Sequence, residues 1–368
     1  MIRKRLLILA VLMAVLTGCA DNRPLNYRAL VLTLGVAPAA HGRVTVYFQI
    51  PTPRGLKGLS ASSGTGSASS QSTTYTVAGT GLTVARAFNQ AQSAVDQDLY
   101  LGQLQAVIFS THLSAAQFEG VLSMLTRTGS LDKTAYALAT AAPISAVLGA
   151  TPPTAIVSPL YYSTDFGCAR CQTVNLKRTI WNMEEAHYAP ARSLWLPLVQ
   201  PMGEGLRIDR IVLYRGQQAG RILTPHETML LGYVLGRTGK GTVQLRRYGL
   251  AVSVHTLRAL PRFNLRWGGS QLHLTVQLRL IGAVDAFPLS ADLKSHLGWV
   301  EQATSARVAT QTLTLLTQLG KAGIDPLAWG NAYLWRHPGE EQRWKVAYRQ
   351  ATWTVRVSTD IREIGDST

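Results

Sequence analysis

Between Gln271 and Ile281 the chain alternates without a break, with Leu272, Leu274, Val276, Leu278 and Leu280 on one side and His273, Thr275, Gln277 and Arg279 on the other. Strand side chains repeat every two residues, so one face of this segment must be buried and the other wet. One buried and one solvated face is the habit of antiparallel sheets. The same alternation marks Val44, Val46, Phe48 and Ile50, and it returns in Leu206 to Tyr214, Ala251 to Leu257 and Thr352 to Ile361. Ala29 to Val36 and Leu104 to Phe109 read as further strands, as does Lys133 to Thr140.

Helices are announced between them. Thr83 is an N-cap ahead of Ala87, Phe88, Ala91 and Val95. Ser114 with Gln117, and Thr224 with Pro225 and Glu227, are capping-box patterns. Short helical character is read near Ile144 to Leu148. Ser290 opens a helix running to Leu319, with Leu293, Leu297, Val300, Val308 and Leu315 on one stripe. The expected class is α+β: two or three mixed α/β domains with largely antiparallel sheets flanked by helices. At 368 residues there is chain enough for full cores.

Domain limits follow composition. Residues 60–74 are almost wholly Ser, Gly, Thr, Ala and Gln and are read as a mobile loop. Thr151 to Pro159 and Leu196 to Met202 carry prolines and are read as boundaries. The division is therefore 1–18, a signal; 19–200, an N-terminal α/β region open to splitting into two subdomains; and 206–368, an antiparallel sheet with helices.

The signal is read from chemistry at the start of the chain. Arg3, Lys4 and Arg5 precede the apolar run Leu6 to Leu16, followed by Thr17-Gly18-Cys19. That run falls short of the about 20 residues a spanning helix requires, and a short cationic segment, a short apolar one and small residues before a cysteine describe a lipoprotein signal. Cleavage between Gly18 and Cys19 is expected, with diacylglycerol on the Cys19 thiol and an acyl chain of the palmitate type on its amine. Each buried methylene contributes about 0.8 kcal/mol, so two or three chains hold firmly. No later apolar run approaches spanning length.

The formal charge is +16, and loss of Arg3, Lys4 and Arg5 leaves +13. For an exported chain that excess points to an anionic membrane surface; nucleic acid is not expected as a partner. Besides Cys19 there are Cys168 and Cys171, in Cys168-Ala169-Arg170-Cys171. A metal would need two more ligands, with His187 the nearest; a local disulfide or two idle thiols is favoured, and no metal is expected.

Taken in order, these features resemble the Ger(x)C family, the C-subunit lipoproteins of spore germinant receptors. The series is the Cys19 signal with Asp21, Leu34-Gly35-Val36, Ile50-Pro51-Thr52-Pro53 before a variable loop, and Gly81-Leu82-Thr83-Val84-Ala85-Arg86-Ala87. It continues through Leu104 to Ser110, the Arg127 region, Leu213-Tyr214-Arg215-Gly216 with Gly220-Arg221-Ile222-Leu223 before Thr228, and closes on Trp329, Trp335, Val355, Val357, Ile361 and Gly365. Ala20 and Gly102-Gln103-Leu104 depart from the family pattern. The resemblance implies a lipid-anchored subunit on the outer face of the inner spore membrane, partnered by integral-membrane A and B subunits. It carries over Cys19 as a functional position and no catalytic residues.

Other chemistry is thinly represented. There is no Gly-x-Ser-x-Gly, His-Glu-x-x-His or Walker loop. Glu184-Glu185-Ala186-His187 beside Trp181 and Tyr188 would suit a wall hydrolase, but a solvated helix face is the simpler reading. Trp329, Tyr333 and Trp335 are read as core packing over a sugar or lipid platform, and His255 and His273 as ordinary strand residues. The chain is read as a non-enzymatic germinant-receptor subunit with no cofactor beyond its lipid. The alternative is an extracytoplasmic solute-binding lipoprotein, which would require two similar lobes and a hinge.

Overall fold

The structure, a computed structural model, describes residues 25–52, 73–153, 155, 157–168, 171, 174, 176–191, 193–238, 240–247, 250–269, 271–286 and 293–364. Gly18, Cys19, Ser290 and nearly all of the 60–74 loop lie outside the described residues.

The alternating segments pair largely as their patterns require. β1 (Arg28–Leu30) joins β5 (Asp98–Tyr100) in a small parallel pair. β2 (Thr33–Pro38), β3 (Val44–Pro51), β4 (Thr74–Gly81), β6 (Ala106–Ser110), β7 (Tyr136–Thr140), β8 (Trp195–Met202), β9 (Gly205–Arg215) and β10 (Gln218–Ile222) form one sheet. Its order is β10-β9-β8-β7-β6-β2-β3-β4. Its middle is parallel, from β2 through β6 and β7 to β8, and antiparallel hairpins flank it on both sides. The sheet is therefore mixed, because α-helical crossovers join its central strands.

Helices cover both faces. α1 (Val84–Gln92), α2 (Ala115–Arg127) and α5 (Ile180–Tyr188) bury Ala87, Phe118, Leu122 and Met183 against Phe48, Phe109 and Leu196. α3 (Ile144–Leu148) and α4 (Leu160–Gly167) bury Val147, Tyr162 and Phe166 against Ile108, Leu138 and Val199 on the opposite face. A central strand sandwiched this way has no polar side, and all of β6 is buried. The capping boxes are present as read: Ser114 and Gln117 bond each other's backbone N–H at 3.3 and 2.9 Å, and Thr224 and Glu227 do so at 3.2 and 2.9 Å.

The second sheet, β11-β12-β13-β14, consists of β11 (Gly241–Arg247), β12 (Leu250–Gly268), β13 (Gln271–Ala286) and β14 (Thr352–Ile364). Only β13 and β14 run parallel. All five apolar residues of the β13 stripe are buried. α6 (Pro225–Leu235) and the long α7 (Leu293–Lys321) close one core over it, with Leu231, Val300, Val308 and Leu319. α8 (Trp329–Leu334) and α9 (Glu341–Arg349) close another.

One boundary reading is corrected: Leu196 to Met202 belongs to β8 and is not a linker. Proline is tolerated where a strand edge is little used, and β8 meets β7 only at Leu198 and Ala139, so Pro197 and Pro201 interrupt little. The division read at 206 falls within the β8–β9 hairpin, both of whose strands lie in the first sheet. Sequence also stopped the β12 strand at Leu257. The strand continues through Pro261 because β11 pairs only as far as Thr256, leaving that edge of β12 open.

α1 sits unusually close to its strand. A Cβ at Gly79 would lie 2.0 Å from the Ala87 carbonyl oxygen and 2.6 Å from the Ala91 nitrogen, both backbone atoms that cannot rotate away. Gly79→Ala should therefore destabilise the chain by at least about 3 kcal/mol, at or beyond the upper end of ordinary overpacking. Chemical denaturation against the unmodified chain measures it, and a loss under about 1 kcal/mol would show that α1 can lift away freely.

Candidate functional site

The residues singled out by sequence do not converge. Cys168 caps the end of α4 and is disulfide-bonded to Cys171, with their Cα atoms 5.4 Å apart. Lys240 ties this loop to the start of β11 by donating to the carbonyls of Cys168 and Cys171 at 3.3 and 2.6 Å. Among the described residues no group of three or more His, Cys, Asp or Glu is placed to hold a metal. Trp329 and Tyr333 are packed in the core, Trp329 stacked on Trp353 at 5.3 Å, whereas Trp335 is exposed. His255 is buried in its strand and His273 is exposed.

The Glu184 to His187 stretch is not the solvated face it resembles. Both Glu184 and His187 are buried, because the rest of the fold supplies their partners. Lys133 Nζ and Thr126 Oγ1 donate to the two oxygens of Glu184 at 2.9 and 3.1 Å. His187 Nε2 lies 3.1 Å from Glu119 Oε2, which also accepts from Gln217 in the β9–β10 turn. These contacts bind α5 to α2 and to the hairpin. With both oxygens of Glu184 so engaged, the group reads as a structural clamp rather than a catalytic pair.

A concavity lies elsewhere, where the segment after α5 and the end of β9 meet the turn after α7 and helix α9. It encloses about 700 Å³, within the roughly 300–1,000 Å³ usual for small-molecule sites. Ser193, Leu194, Tyr214, Ile324, Asp325, Trp344 and Tyr348 are its buried lining; Tyr188, Arg215, Glu341, Lys345 and Arg349 are exposed around it. The two sides are held in register by Ala191, whose N–H donates to Asn331 Oδ1 at 2.8 Å. Gly330 makes this approach possible, since a Cβ there would meet Ala191 Cβ at 2.8 Å and Trp344 Nε1 at 2.6 Å.

Two buried polar atoms of this lining, Ser193 Oγ and Tyr214 Oη, have no hydrogen-bond partner, whereas buried polar groups are nearly always paired. Sequence gave little warning of them. Asp325-Pro326 after Gly323 is a turn signal, but nothing in the pattern ties that turn to Ser193 or Tyr214.

Asp325 also organises the start of α8. Its Oδ2 accepts the Gly330 N–H at 2.8 Å. Burial drives its carboxyl up to about 6, and the backbone N–H groups of residues 327–330 only partly offset this. A folded value above the unfolded one means that the folded state binds the extra proton, so stability is lost as pH rises from about 4 to about 6 and is level above. Two pH units correspond to about 3 kcal/mol. Asp325→Asn should remove this slope, its advantage over the unmodified chain growing by about that amount between pH 4 and pH 7. Urea unfolding across that range checks it; parallel curves for the two chains would contradict it.

Comparison with known proteins gives this architecture relatives. Residues 21–201 match the model of the spore germination protein N-terminal domain, and residues 210–365 match the spore germination B3/GerAC-like C-terminal model. No curated protein matches the chain. The crystal structure of the GerBC protein is similar with a TM-score of 0.56 at 14% identity, covering 90% of this chain and 97% of that one. At that identity the likeness speaks to the fold, which is the same mixed α+β arrangement. With both family models matched in order along nearly its whole length, the chain belongs to the Ger(x)C family of spore germinant-receptor subunits.

Proposed function

We propose that this chain is a non-catalytic, lipid-anchored subunit of a nutrient germinant receptor. It is cleaved between Gly18 and Cys19, carries diacylglycerol and an N-acyl chain on Cys19, and works on the extracytoplasmic face of the inner spore membrane beside integral-membrane A and B subunits. The observation that carries this reading is the ordered match of both family models.

Other features support it. The family match opens at residue 21, two positions after the cysteine at which the processed chain would begin. No helix of the described residues is long and apolar enough to cross a membrane, and the proposed hold is the lipid. Two acyl chains at about 0.8 kcal/mol per methylene suffice for stable attachment. An anionic membrane surface would find basic groups on the exposed face of the second sheet, where Arg262 and Arg356 flank a shallow depression beside Arg279, itself paired with Asp360 at 3.0 Å. The solute-binding alternative is less well supported, because the eight-stranded and four-stranded sheets differ in order and strand sense.

Deletion of the gene in its spore-forming host should slow or abolish germination with at least one nutrient; unchanged germination with every nutrient, in a host without a redundant receptor, contradicts the role. Separately, Cys19→Ala should shift the chain from the membrane fraction to the soluble one. Retention in the membrane with unchanged processing would refute the anchor while leaving the germination role open to the first test.

A further inference from the structure

β12 outruns its neighbour. β11 pairs with it only as far as Thr256, and residues 262–268 have β13 on one side and, among the described residues, no strand on the other. No backbone group of the described loops or helices bonds to them from that side either. An uncovered edge presents a row of N–H and C=O groups ready to pair with another extended chain. At about 3.3 Å per residue this stretch spans roughly 23 Å, longer than an ordinary strand.

The two faces beside this edge differ in chemistry. Phe263, Leu265 and Trp267 lie on the side of the helices, where Phe263 meets Trp329 at 5.7 Å and Trp267 meets Tyr333 at 5.3 Å. Phe263 is nonetheless 49% exposed. Arg262, Asn264 and Arg266 are exposed on the opposite side, and neither arginine forms an ion pair among the described residues. Across from these three stand Gln277, Thr275 and His273 of β13, then Arg356, Thr354 and Thr352 of β14, so no carboxylate faces them. The charges choose between occupants. A second copy pairing edge to edge would crowd Arg262 and Arg266 against the same residues of its mate, and like charges on facing strands destabilise a pair. A strand with carboxylates at every second position would meet the arginines instead, and the apolar residues between them would cover Phe263.

We propose that the free edge of β12 is a docking site for an extended segment of a partner protein in which acidic and apolar residues alternate. Its backbone pairs with residues 262–268, its carboxylates meet Arg262 and Arg266, and its apolar side chains lie over Phe263 and Leu265. Main-chain bonds supply affinity, and the alternating side chains supply specificity.

Hydrogen exchange of the full chain, read by mass spectrometry, tests this with a synthetic end-capped peptide in which glutamate alternates with valine. A lysine–valine peptide is the control. The acidic peptide should bind saturably below about 1 mM and slow exchange in residues 262–268, whereas the control should do neither. Arg262→Glu combined with Arg266→Glu changes only exposed side chains; it should weaken the acidic peptide by about tenfold or more and let the lysine peptide bind in its place. Absence of saturable binding by the acidic peptide would overturn the proposal. So would binding that leaves exchange at 262–268 unchanged, since charge alone would then hold the peptide. Slower exchange there on raising the protein concentration without peptide would overturn it in favour of a second copy, and vesicles of phosphatidylglycerol that bind where the peptide does not would overturn it in favour of a membrane.

Discussion

The architecture depends on β9 being apolar on both faces. Val212 and Tyr214 point into the core under α2 and α5, while Ile211 and Leu213 point into the core shared by Trp195, α6 and the second sheet. A period of two makes this unavoidable once a strand of consecutive apolar residues is placed between two layers. Each fully buried aliphatic side chain contributes about 1.5–3 kcal/mol, so neither sheet can withdraw from β9 without a large loss. The C-terminal sheet thereby covers the same face of the first sheet that α3 and α4 cover farther along, where Val199 and Ile208 meet them.

From that weld follows the position of the cavity. The end of β9 delivers Tyr214 and Arg215 to one wall, and the turn after α7 with helix α9 delivers Asp325, Trp344, Lys345 and Arg349 to the other. Ala191 and Asn331 pin the two walls together, and the missing side chain of Gly330 lets them close. A cavity assembled from both units changes shape with any change in how they pack. The clamp of His187, Glu119 and Gln217 ties the same hairpin back to α2, so the β9–β10 turn is held from both sides.

Sequence was most legible where one local rule decided the outcome. The β13 stripe, the Ser114 and Thr224 caps and the Thr83 N-cap are local, and each is present. It was least legible where distant partners changed a residue's meaning. Glu184 and His187 look like solvent-facing groups until Lys133, Thr126 and Glu119 arrive from elsewhere. Pro197, Pro201 and Pro261 look like breaks until the neighbouring strands are seen to leave those edges little used. Thr304 and Thr312, fully buried on the α7 stripe, carry no apolar signal at all. The cavity belongs with these: its walls lie more than a hundred residues apart in the chain, and no motif joins them.

Through its two apolar faces, β9 couples the two sheets into one cooperative body. Native-state hydrogen exchange on the full chain and on Leu213→Ala tests it most directly, because exchange reports the opening energy of each element separately. The cavity left by the missing side chain, worth about 2–5 kcal/mol, should lower protection in β2 and β6 of the first sheet as well as in β12 and β13 of the second. Protection lost in one sheet alone, with the other unchanged, would show that the two units fold independently and would contradict it.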